Sequence, residues 1–211
     1  MDVRRLGMVP YAEAAAIQAD LHERRARGEC ADTLLLLEHP HVYTIGRRGS
    51  ALDVLWDAEA LGRRSVEVVE TDRGGQVTYH GPGQLVGYPI VDLGAGADLV
   101  AYVRRLEEVL IGTLADFGLA AERDAGNTGV WVNSAKIAAI GVRVTRSVTK
   151  HGFALNVAPD LSYFAGIVPC GITDKSVTSM ALELGGAPVM SAVVDAVERQ
   201  FVRVFGYREA A

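Results

Sequence analysis

Residues 65–91 read SVEVVETDRGGQVTYHGPGQLVGYPIV, and they indicate three short strands in succession with no helix between them. Apolar and polar residues alternate over Ser65–Glu70, while Gln76–Tyr79 and Gln84–Val91 are rich in β-branched and aromatic residues. Glycine and proline separate the segments. Strands that follow strands favour a mixed sheet over a doubly wound parallel sheet.

Outside this stretch, the sequence predicts three helices and four further strands. The helices are Pro10–Arg27, which Gly28 ends, a second from the Asp98 cap to Gly118, and Ser191–Phe205. The strands are Thr33–Glu38 (TLLLLE, a buried central strand), Gly129–Val132, Lys136–Val144 and Val148–Val157, the last two as a hairpin. We therefore predict one α+β domain spanning residues 1–211, with a mixed β-sheet flanked by helices.

Composition excludes several classes of protein. The chain has 211 residues, 49% of them hydrophobic, which is enough for one domain with a sizeable core. A net charge of -5 gives no general basic surface for nucleic acid. The N-terminal residues lack a signal-peptide apolar core, and no apolar stretch has the length of a membrane span. Cys30 and Cys170 form no disulfide framework. We expect a cytoplasmic protein that binds neither nucleic acid nor membrane.

The glycine-rich stretch RGGQVTYHGPGQ (73–84) is a candidate ligand site. Its spacing matches neither a dinucleotide-binding nor a P-loop motif. Glycines would let the backbone approach a ligand and offer its N–H groups. Arg73 has the chemistry to pair with a carboxylate or phosphate, and His80 to transfer a proton. The alternative is a tight pair of turns with a structurally satisfied histidine.

Cys170 and Lys136 are candidates for nucleophilic chemistry. Cys170 lies between a proline and a glycine in IVPCGIT, which indicates an exposed turn, although a cysteine is more often a small buried apolar residue. Lys136 lies in the apolar run AKIAAIGVRV, where burial would lower its pKa. Such a lysine could take a proton from a thiol or stabilise a thiolate. Alternatively, it extends from a strand edge to water.

Histidines offer no familiar metal spacing. His39 and His41 are two residues apart, but Pro40 between them disturbs a regular strand. Neither an acidic residue nor His80 or His151 completes a known ligand pattern with them. We predict no metal site.

Five segments resemble, in order, the octanoyltransferases of lipoate biosynthesis, the lipoyl(octanoyl) transferases. These segments are LLLLEHPHVYTIGRR (34–48), TDRGGQVTYHGPGQLVGYPIVDL (71–93), AKIAAIGVRV (135–144), HGFALNV (151–157) and FAGIVPCGI (164–172). The resemblance implies a fold similar to that of lipoate–protein and biotin–protein ligases. It assigns no role to His41 or Cys30.

The resemblance also implies a reaction and its residues. An octanoyl group would pass from octanoyl-acyl carrier protein to a lysine of lipoyl domains, those of the 2-oxoacid dehydrogenase complexes and of the glycine cleavage H protein. Cys170 would be the acyl-thioester nucleophile and Lys136 the residue that lowers its pKa. Substrate would contact Arg73, Gly74, Gly75, Gln76, Val77, Thr78, Tyr79, His80, Ala139, Ile140, Gly141, Gly152, Phe153 and Ala154.

The implied chemistry suits these residue types. A thioester donor is already activated, so we expect no cofactor, ATP or metal. Backbone N–H groups of the glycine-rich segments would stabilise the oxyanion. Val77, Tyr79, Ile140 and Phe153 would form an apolar slot for the octanoyl tail.

Three other interpretations of the function stay open. An ATP-dependent lipoate–protein ligase would need no cysteine nucleophile, and a non-catalytic carrier-binding protein would need neither Cys170 nor Lys136. A cysteine hydrolase would need a His–Asp pair beside Cys170, and the sequence indicates none. We expect a monomer. The arginine pairs Arg47–Arg48, Arg63–Arg64 and Arg143/Arg146 are candidate docking sites for acidic partners, or simply solvated loop charges.

Overall fold

The larger of two β-sheets contains six strands. They are β1 (Asp2–Met8), β2 (Thr33–Glu38), β6 (Gln84–Ile90), β7 (Val130–Val132), β8 (Ala135–Thr145) and β9 (Val148–Asn156). Their order across the sheet is β1-β2-β6-β9-β8-β7. β1 and β2 are parallel, and the other neighbours are antiparallel. The computed structural model describes residues 1–168 and 176–207.

A smaller sheet contains three strands, β3 (Val42–Ile45), β4 (Glu67–Glu70) and β5 (Val77–His80), in the order β4-β3-β5. β3 runs parallel to β4 and antiparallel to β5. The prediction of a mixed sheet in an α+β fold is confirmed, but the strands divide between two sheets. Strands β1 and β3 were not predicted, although the VYTI run of β3 consists of the β-branched and aromatic residues that are typical of a strand.

In the part of the chain that the structure describes, five α-helices accompany the sheets: α1 (Tyr11–Ala26), α2 (Ala58–Arg63), α3 (Leu99–Asp116), α4 (Met180–Leu184) and α5 (Met190–Phe205). The Asp98 side chain accepts hydrogen bonds from the Val100 and Ala101 N–H groups and so caps α3, as predicted. Among residues 1–168 and 176–207, no helix is long and apolar enough to cross a membrane.

The four leucines of β2 show why the larger sheet has two cores. Leu34 and Leu36 pack into the cluster formed with α3 and α5, whereas Leu35 and Leu37 pack into the cluster formed with α1. All four are at most 2% exposed. A strand covered on both faces needs a continuous apolar run instead of alternation, which TLLLLE supplies.

The smaller sheet has its own aromatic core. Tyr43, Tyr79, Val77 and Ile167 are buried there, with Trp56 and Tyr163 packed against them. The Tyr43 hydroxyl donates a 2.5 Å hydrogen bond to the Tyr163 carbonyl. This core fixes the strands that lead into and out of the glycine-rich stretch.

Candidate active site at the junction of the two sheets

The first part of the glycine-rich stretch, residues 73–76, lies between β4 and β5 and docks on the larger sheet. The Gly74 N–H donates a 3.0 Å hydrogen bond to the Val142 carbonyl of β8. A Cβ atom at Gly141 would lie 2.8 Å from the Gly74 carbonyl oxygen, so this approach requires glycine. The sequence analysis expected these N–H groups to face a ligand. The structure corrects this for Gly74, whose N–H is used to hold the two sheets together.

The inner cavity, as we call it, lies beside this contact and has a volume of about 50 Å³. Its walls are Tyr11, Arg73, Gly74, Gly75, Thr78, His80, Tyr88, Ala139, Ile140, Gly141, His151, Gly152, Phe153 and Ala154. The structure thus brings together most of the residues predicted to contact substrate. Tyr11, Tyr88 and His151 were not predicted as wall residues; all three come from outside the glycine-rich segments.

Three predicted substrate-contact residues do not line the inner cavity. Thr78 and His80 face it, so strand alternation turns Val77 and Tyr79 to the other side of β5. Both are 0% exposed in the core of the smaller sheet, which removes them from the expected apolar slot. Gln76 instead lines a neighbouring cleft.

The outer cleft, as we call this neighbour, has a volume of about 570 Å³. Its walls are Arg48, Gly74, Gly75, Gln76, Leu99, Val103, Gly126, Asn127, Thr128, Lys136, Ala139, Ile140, Gly141 and Val142. Gly74, Gly75 and the residues 139–141 belong to both walls. The two spaces therefore adjoin, with Lys136 on the outer one.

Lys136 is held by the chain that follows the predicted nucleophile. Its N–H donates to the Ser176 carbonyl, and its carbonyl accepts from the Thr178 N–H, both at 2.9 Å. Its ammonium nitrogen lies 4.9 Å from the centroid of the Trp131 ring, a cation–π distance. Cys170 lies outside the described residues, and Ser176 is the first described residue after it.

Arg73 is buried and bonded to the smaller sheet. Its Nε and Nη2 atoms donate to the Thr44 hydroxyl at 3.1 and 2.9 Å, and Nη2 also donates to the Thr44 carbonyl. Nη1 donates to the Gly74 carbonyl at 3.0 Å. The sequence analysis suggested a partner carboxylate or phosphate for Arg73. In the structure, the Arg73 side chain instead connects the glycine-rich stretch to Thr44 of β3 through these hydrogen bonds.

The bonding around His80 fixes its tautomer. Gln84 Nε2 donates to the Tyr79 carbonyl and to Asn156 Oδ1, so Gln84 Oε1 must accept from His80 Nδ1, at 2.7 Å. His80 Nε2 then carries a lone pair, 3.4 Å from the Thr44 hydroxyl. Burial lowers the pKa of His80 well below its usual value. His80 is therefore a neutral acceptor near pH 7.

A chain of buried amides connects His80 to the segment beside Lys136. Gln84 Nε2 donates to Asn156 Oδ1 at 2.9 Å, and Asn156 Nδ2 donates to the Thr178 carbonyl at 3.0 Å. Gln84, Asn156 and Thr178 are at most 4% exposed. The inner cavity and the Lys136 region are thus joined by side chains whose donors and acceptors are matched.

His151, a buried residue of the inner-cavity wall, forms a second polar pair with the half-exposed carboxylate of Asp72. His151 Nε2 lies 2.6 Å from Asp72 Oδ1, and Lys150 Nζ lies 3.0 Å from Asp72 Oδ2. Neighbouring side chains of a regular strand point to opposite faces. His151 has φ of 58°, and this left-handed backbone turns its ring to the same carboxylate as Lys150.

The protonation of this pair follows from its surroundings. Burial raises the pKa of Asp72, but hydrogen bonds from His151 and Lys150 outweigh it and bring the pKa to about 2. Burial lowers the pKa of His151, and the Asp72 bond opposes this only in part. Asp72 is therefore ionised and accepts from Nε2–H of a neutral imidazole. His151 Nδ1 is a buried acceptor that no described residue bonds.

His39 and His41, which the sequence analysis weighed as metal ligands, contact different groups. His39 Nδ1 bonds the Val9 carbonyl and Nε2 bonds the Tyr88 hydroxyl, both at 2.7 Å. His41 Nδ1 bonds the Tyr79 hydroxyl at 2.9 Å, and its ring stacks on Tyr163. Among the residues that the structure describes, no three His, Cys, Asp or Glu side chains cluster as metal ligands.

This arrangement of two sheets, helices on both faces and a glycine-rich wall defines a class of fold, that of the lipoate–protein and biotin–protein ligases. Lipoate–protein ligase A bound with ATP aligns over 100% of this chain and 89% of its own, with a TM-score of 0.78 and 18% identity. Biotin protein ligase from Aquifex aeolicus aligns over 98% of this chain and 69% of its own, with a TM-score of 0.55 and 11% identity.

Sequence similarity narrows the class to a family. The family model "Lipoyl protein ligase A/B catalytic domain" matches residues 10–202, and the chain belongs to this family. An octanoyltransferase of Acidobacterium capsulatum is 50% identical, covering 99% of this chain and 91% of its own. One of Solibacter usitatus is 53% identical, covering 97% and 93%. These relatives confirm the resemblance to octanoyltransferases and the prediction of an acyl-transferring enzyme.

Proposed function

We propose that this protein transfers an octanoyl group from octanoyl-acyl carrier protein to a lysine of lipoyl domains, through a thioester on Cys170. The acceptors are the lipoyl domains of the 2-oxoacid dehydrogenase complexes and the glycine cleavage H protein. Residues 1–211 act as one cytoplasmic catalytic domain. A solved relative in fold is an archaeal lipoate protein ligase from Thermoplasma acidophilum, described with its E2 lipoyl domain, at 19% identity.

The observation that carries the residue assignment is the hydrogen bonding of Lys136 to Ser176 and Thr178. These bonds hold the chain that leaves the PCGI segment against the strand that bears the only lysine of the outer cleft among the described residues. A lysine in this position supports the proposed thiol–lysine pair, because an ammonium group stabilises a nearby thiolate.

The chemistry then balances without a further reactant. The Cys170 thiolate attacks the thioester carbonyl, and as the acyl–sulfur bond to Cys170 forms the carrier leaves as a thiol with a proton from the Lys136 ammonium. The neutral acceptor lysine attacks this second thioester, Lys136, now neutral, takes the proton that the amine loses, and the Cys170 thiolate leaves as the amide forms, which restores the starting thiolate and ammonium.

In this proposal the acyl chain contacts the walls of the inner cavity, whose volume holds part of an octanoyl group, and extends into the adjoining outer cleft. Ala139, Ile140, Gly141, Gly152, Phe153 and Ala154 form the strand walls of the inner cavity, and Gly74 and Gly75 form the wall on the loop side. His80 and His151 are neutral, and the one charged side chain among the described residues of this wall, Arg73, directs guanidinium hydrogen bonds to Thr44 and Gly74.

Intact-protein mass spectrometry tests the intermediate. Wild-type protein mixed with octanoyl-acyl carrier protein, without ATP, should gain the mass of one octanoyl group and lose it when a lipoyl domain is added. Cys170→Ala should gain none. Lys136→Ala should acylate more slowly by about 10²-fold or more, the usual loss of a proton-transfer group.

The outcome also separates the alternatives. If wild-type protein gains no octanoyl mass but lipoylates a domain with free octanoate and ATP, the protein is a ligase of the adenylate-forming kind. If the protein uses neither donor, it is a non-catalytic carrier-binding protein and not a transferase. If Cys170→Ala still transfers from the carrier protein, Cys170 is not the nucleophile.

A further inference from the structure

The outer cleft carries a charge opposite to that of the whole chain. The net charge is -5, yet Arg48 and Lys136 line the cleft and none of its described wall residues is Asp or Glu. A concave surface of about 570 Å³ lined by cations attracts an anionic ligand.

Two carboxylates in the surrounding segments, those of Asp124 and Glu107, have bonding partners of their own. Asp124 Oδ1 accepts from the Gly126 N–H and from Asn127 Nδ2, at 2.9 and 2.8 Å. Glu107 is 0% exposed and pairs with Arg104 and Arg123. Neither carboxylate belongs to the cleft wall, and the charge of Glu107 is offset by its two arginine partners.

The arginines that were considered as docking sites for acidic partners differ in whether they already have a partner within the protein. Four already have partners: Arg63 pairs with Glu59, Arg143 with Asp72 and Arg146 with Glu23, and Arg64 stacks on Trp56. Arg47 and Arg48 have no carboxylate within ion-pair distance among the residues that the structure describes. Only Arg48 of these two lines the outer cleft.

The backbone of Arg48 is fixed at the cleft. Its N–H donates to the Gly75 carbonyl at 3.0 Å, and the Gly46 N–H donates to the Gln76 carbonyl at 2.9 Å. A Cβ atom at Gly46 would lie 2.5 Å from the Gly75 carbonyl oxygen, which shows how closely this turn packs on the glycine-rich stretch. A guanidinium on a fixed backbone loses less freedom when it binds an anion.

The rest of the wall is amphipathic. Leu99 and Val103 of α3 supply apolar surface, and Leu99 is 45% exposed. Asn127 and Thr128, also in the wall, supply an amide and a hydroxyl group. A ligand that combines methyl groups, amides and a phosphate would match the apolar, the polar and the positively charged parts of this wall.

We propose that Arg48 binds the phosphate ester of the acyl donor, which is the 4′-phosphopantetheine arm that acyl carrier protein and coenzyme A share. This inference rests on the proposed function and specifies how its donor is recognised. The arm would lie along the outer cleft, with its phosphate at Arg48 and its thioester toward Lys136. A guanidinium forms paired hydrogen bonds with phosphate oxygens.

Matched donors with and without the phosphate test this contact. We would measure transfer by wild type, Arg48→Gln and Arg47→Gln from octanoyl-phosphopantetheine and from octanoyl-pantetheine. Arg48→Gln should raise KM for the phosphorylated donor by about tenfold or more and leave octanoyl-pantetheine unchanged. Arg47→Gln, the matched control, should change neither KM by more than about twofold. An equal effect of Arg48→Gln on both donors would overturn the inference.

Octanoyl-acyl carrier protein and octanoyl-coenzyme A identify the source of the phosphate. A similar rise in KM for both indicates that Arg48 binds the shared arm. A rise for the carrier protein alone would overturn the inference, because Arg48 would then contact the carrier surface.

Binding to Cys170→Ala, measured by calorimetry, separates this inference from the proposed reaction. The variant should bind phosphopantetheine more tightly than pantetheine, and the additional replacement Arg48→Gln should remove the difference. If wild-type protein uses no thioester donor, the proposed function fails. The same calorimetry still decides whether Arg48 selects the phosphate, since equal binding of the two compounds would overturn that contact.

Discussion

Single glycines decide how closely the strands around the inner cavity approach. A Cβ atom at Gly152 of β9 would lie 2.1 Å from the Gly87 carbonyl oxygen of β6 and 2.6 Å from the Pro89 ring. Both contacts involve rigid groups, so the strands would have to separate. From the sequence, Gly152 is predicted to contact substrate. The structure shows that the packing of β9 on β6 already requires a glycine at this position.

Gly152→Ala should therefore destabilise the protein. We expect the free energy of unfolding to fall by about 1–3 kcal/mol, the usual cost of overpacking, as measured by urea denaturation. Gly62→Ala is the matched control, because Gly62 lies in α2 with no atom within 4 Å of its added Cβ. That replacement should stabilise by up to about 1 kcal/mol. Equal effects of the two would contradict the packing argument.

At the scale of elements, the segment 176–178 depends on side chains as well as on β8. Its backbone pairs with Lys136, but the Thr178 carbonyl also accepts from Asn156 of β9. The sequence predicts both strands of the β8–β9 hairpin. It contains no sign that an asparagine at the end of β9 bonds a segment twenty-odd residues later.

Asn156→Ala should loosen this segment. Removing the amide leaves Gln84 Nε2 without one acceptor and the buried Thr178 carbonyl without one donor, a cost of about 1–3 kcal/mol. We expect faster hydrogen exchange at the Lys136 and Thr178 amides, measured by mass spectrometry, and slower acylation of Cys170. Gln200→Ala serves as a control, since its amide bonds Asp116 at the surface of α5. Unchanged exchange at Thr178 would argue against a positioning role for Asn156.

For the whole molecule, buried histidines should govern stability in weak acid. Burial lowers the pKa values of His39, His41, His80 and His151, that of His39 to about 4. The unfolded chain, with histidine near 6.5, then binds more protons than the folded chain between these values. Their contribution to stability is complete above about pH 6.5 and is lost as the pH falls.

The free energy of unfolding should thus decrease from about pH 6.5 to about pH 4, with about 3 kcal/mol of the loss from His39. His39→Gln, which cannot be protonated, should lower stability at pH 7 and reduce the slope across this range. Urea denaturation at several pH values measures both. Asp72→Asn should lower stability at pH 7, because the ionised carboxylate stabilises the folded state, and should remove pH dependence mainly below about pH 4, since the Asp72 pKa is about 2. A slope unchanged by His39→Gln would refute this account.

The sequence by itself determined the class of fold and the family. Three successive strands over residues 65–91 favour a mixed sheet over a doubly wound parallel sheet, and the run TLLLLE requires cover on both faces. Both patterns involve residues that are close in the chain, so they can be recognised without knowledge of the tertiary structure. The signature segments were equally readable, and most of their predicted contact residues meet at one cavity.

Only the tertiary structure decided which side chains face that cavity and which partners they meet. Alternation along β5 turns Val77 and Tyr79 into the smaller core, and the left-handed backbone of His151 brings it to Asp72. Arg73 bonds to Thr44 because β3 and β5 pair in one register. These contacts join residues far apart in the chain. They depend on strand pairing and on single φ values, which no local pattern of residues specifies.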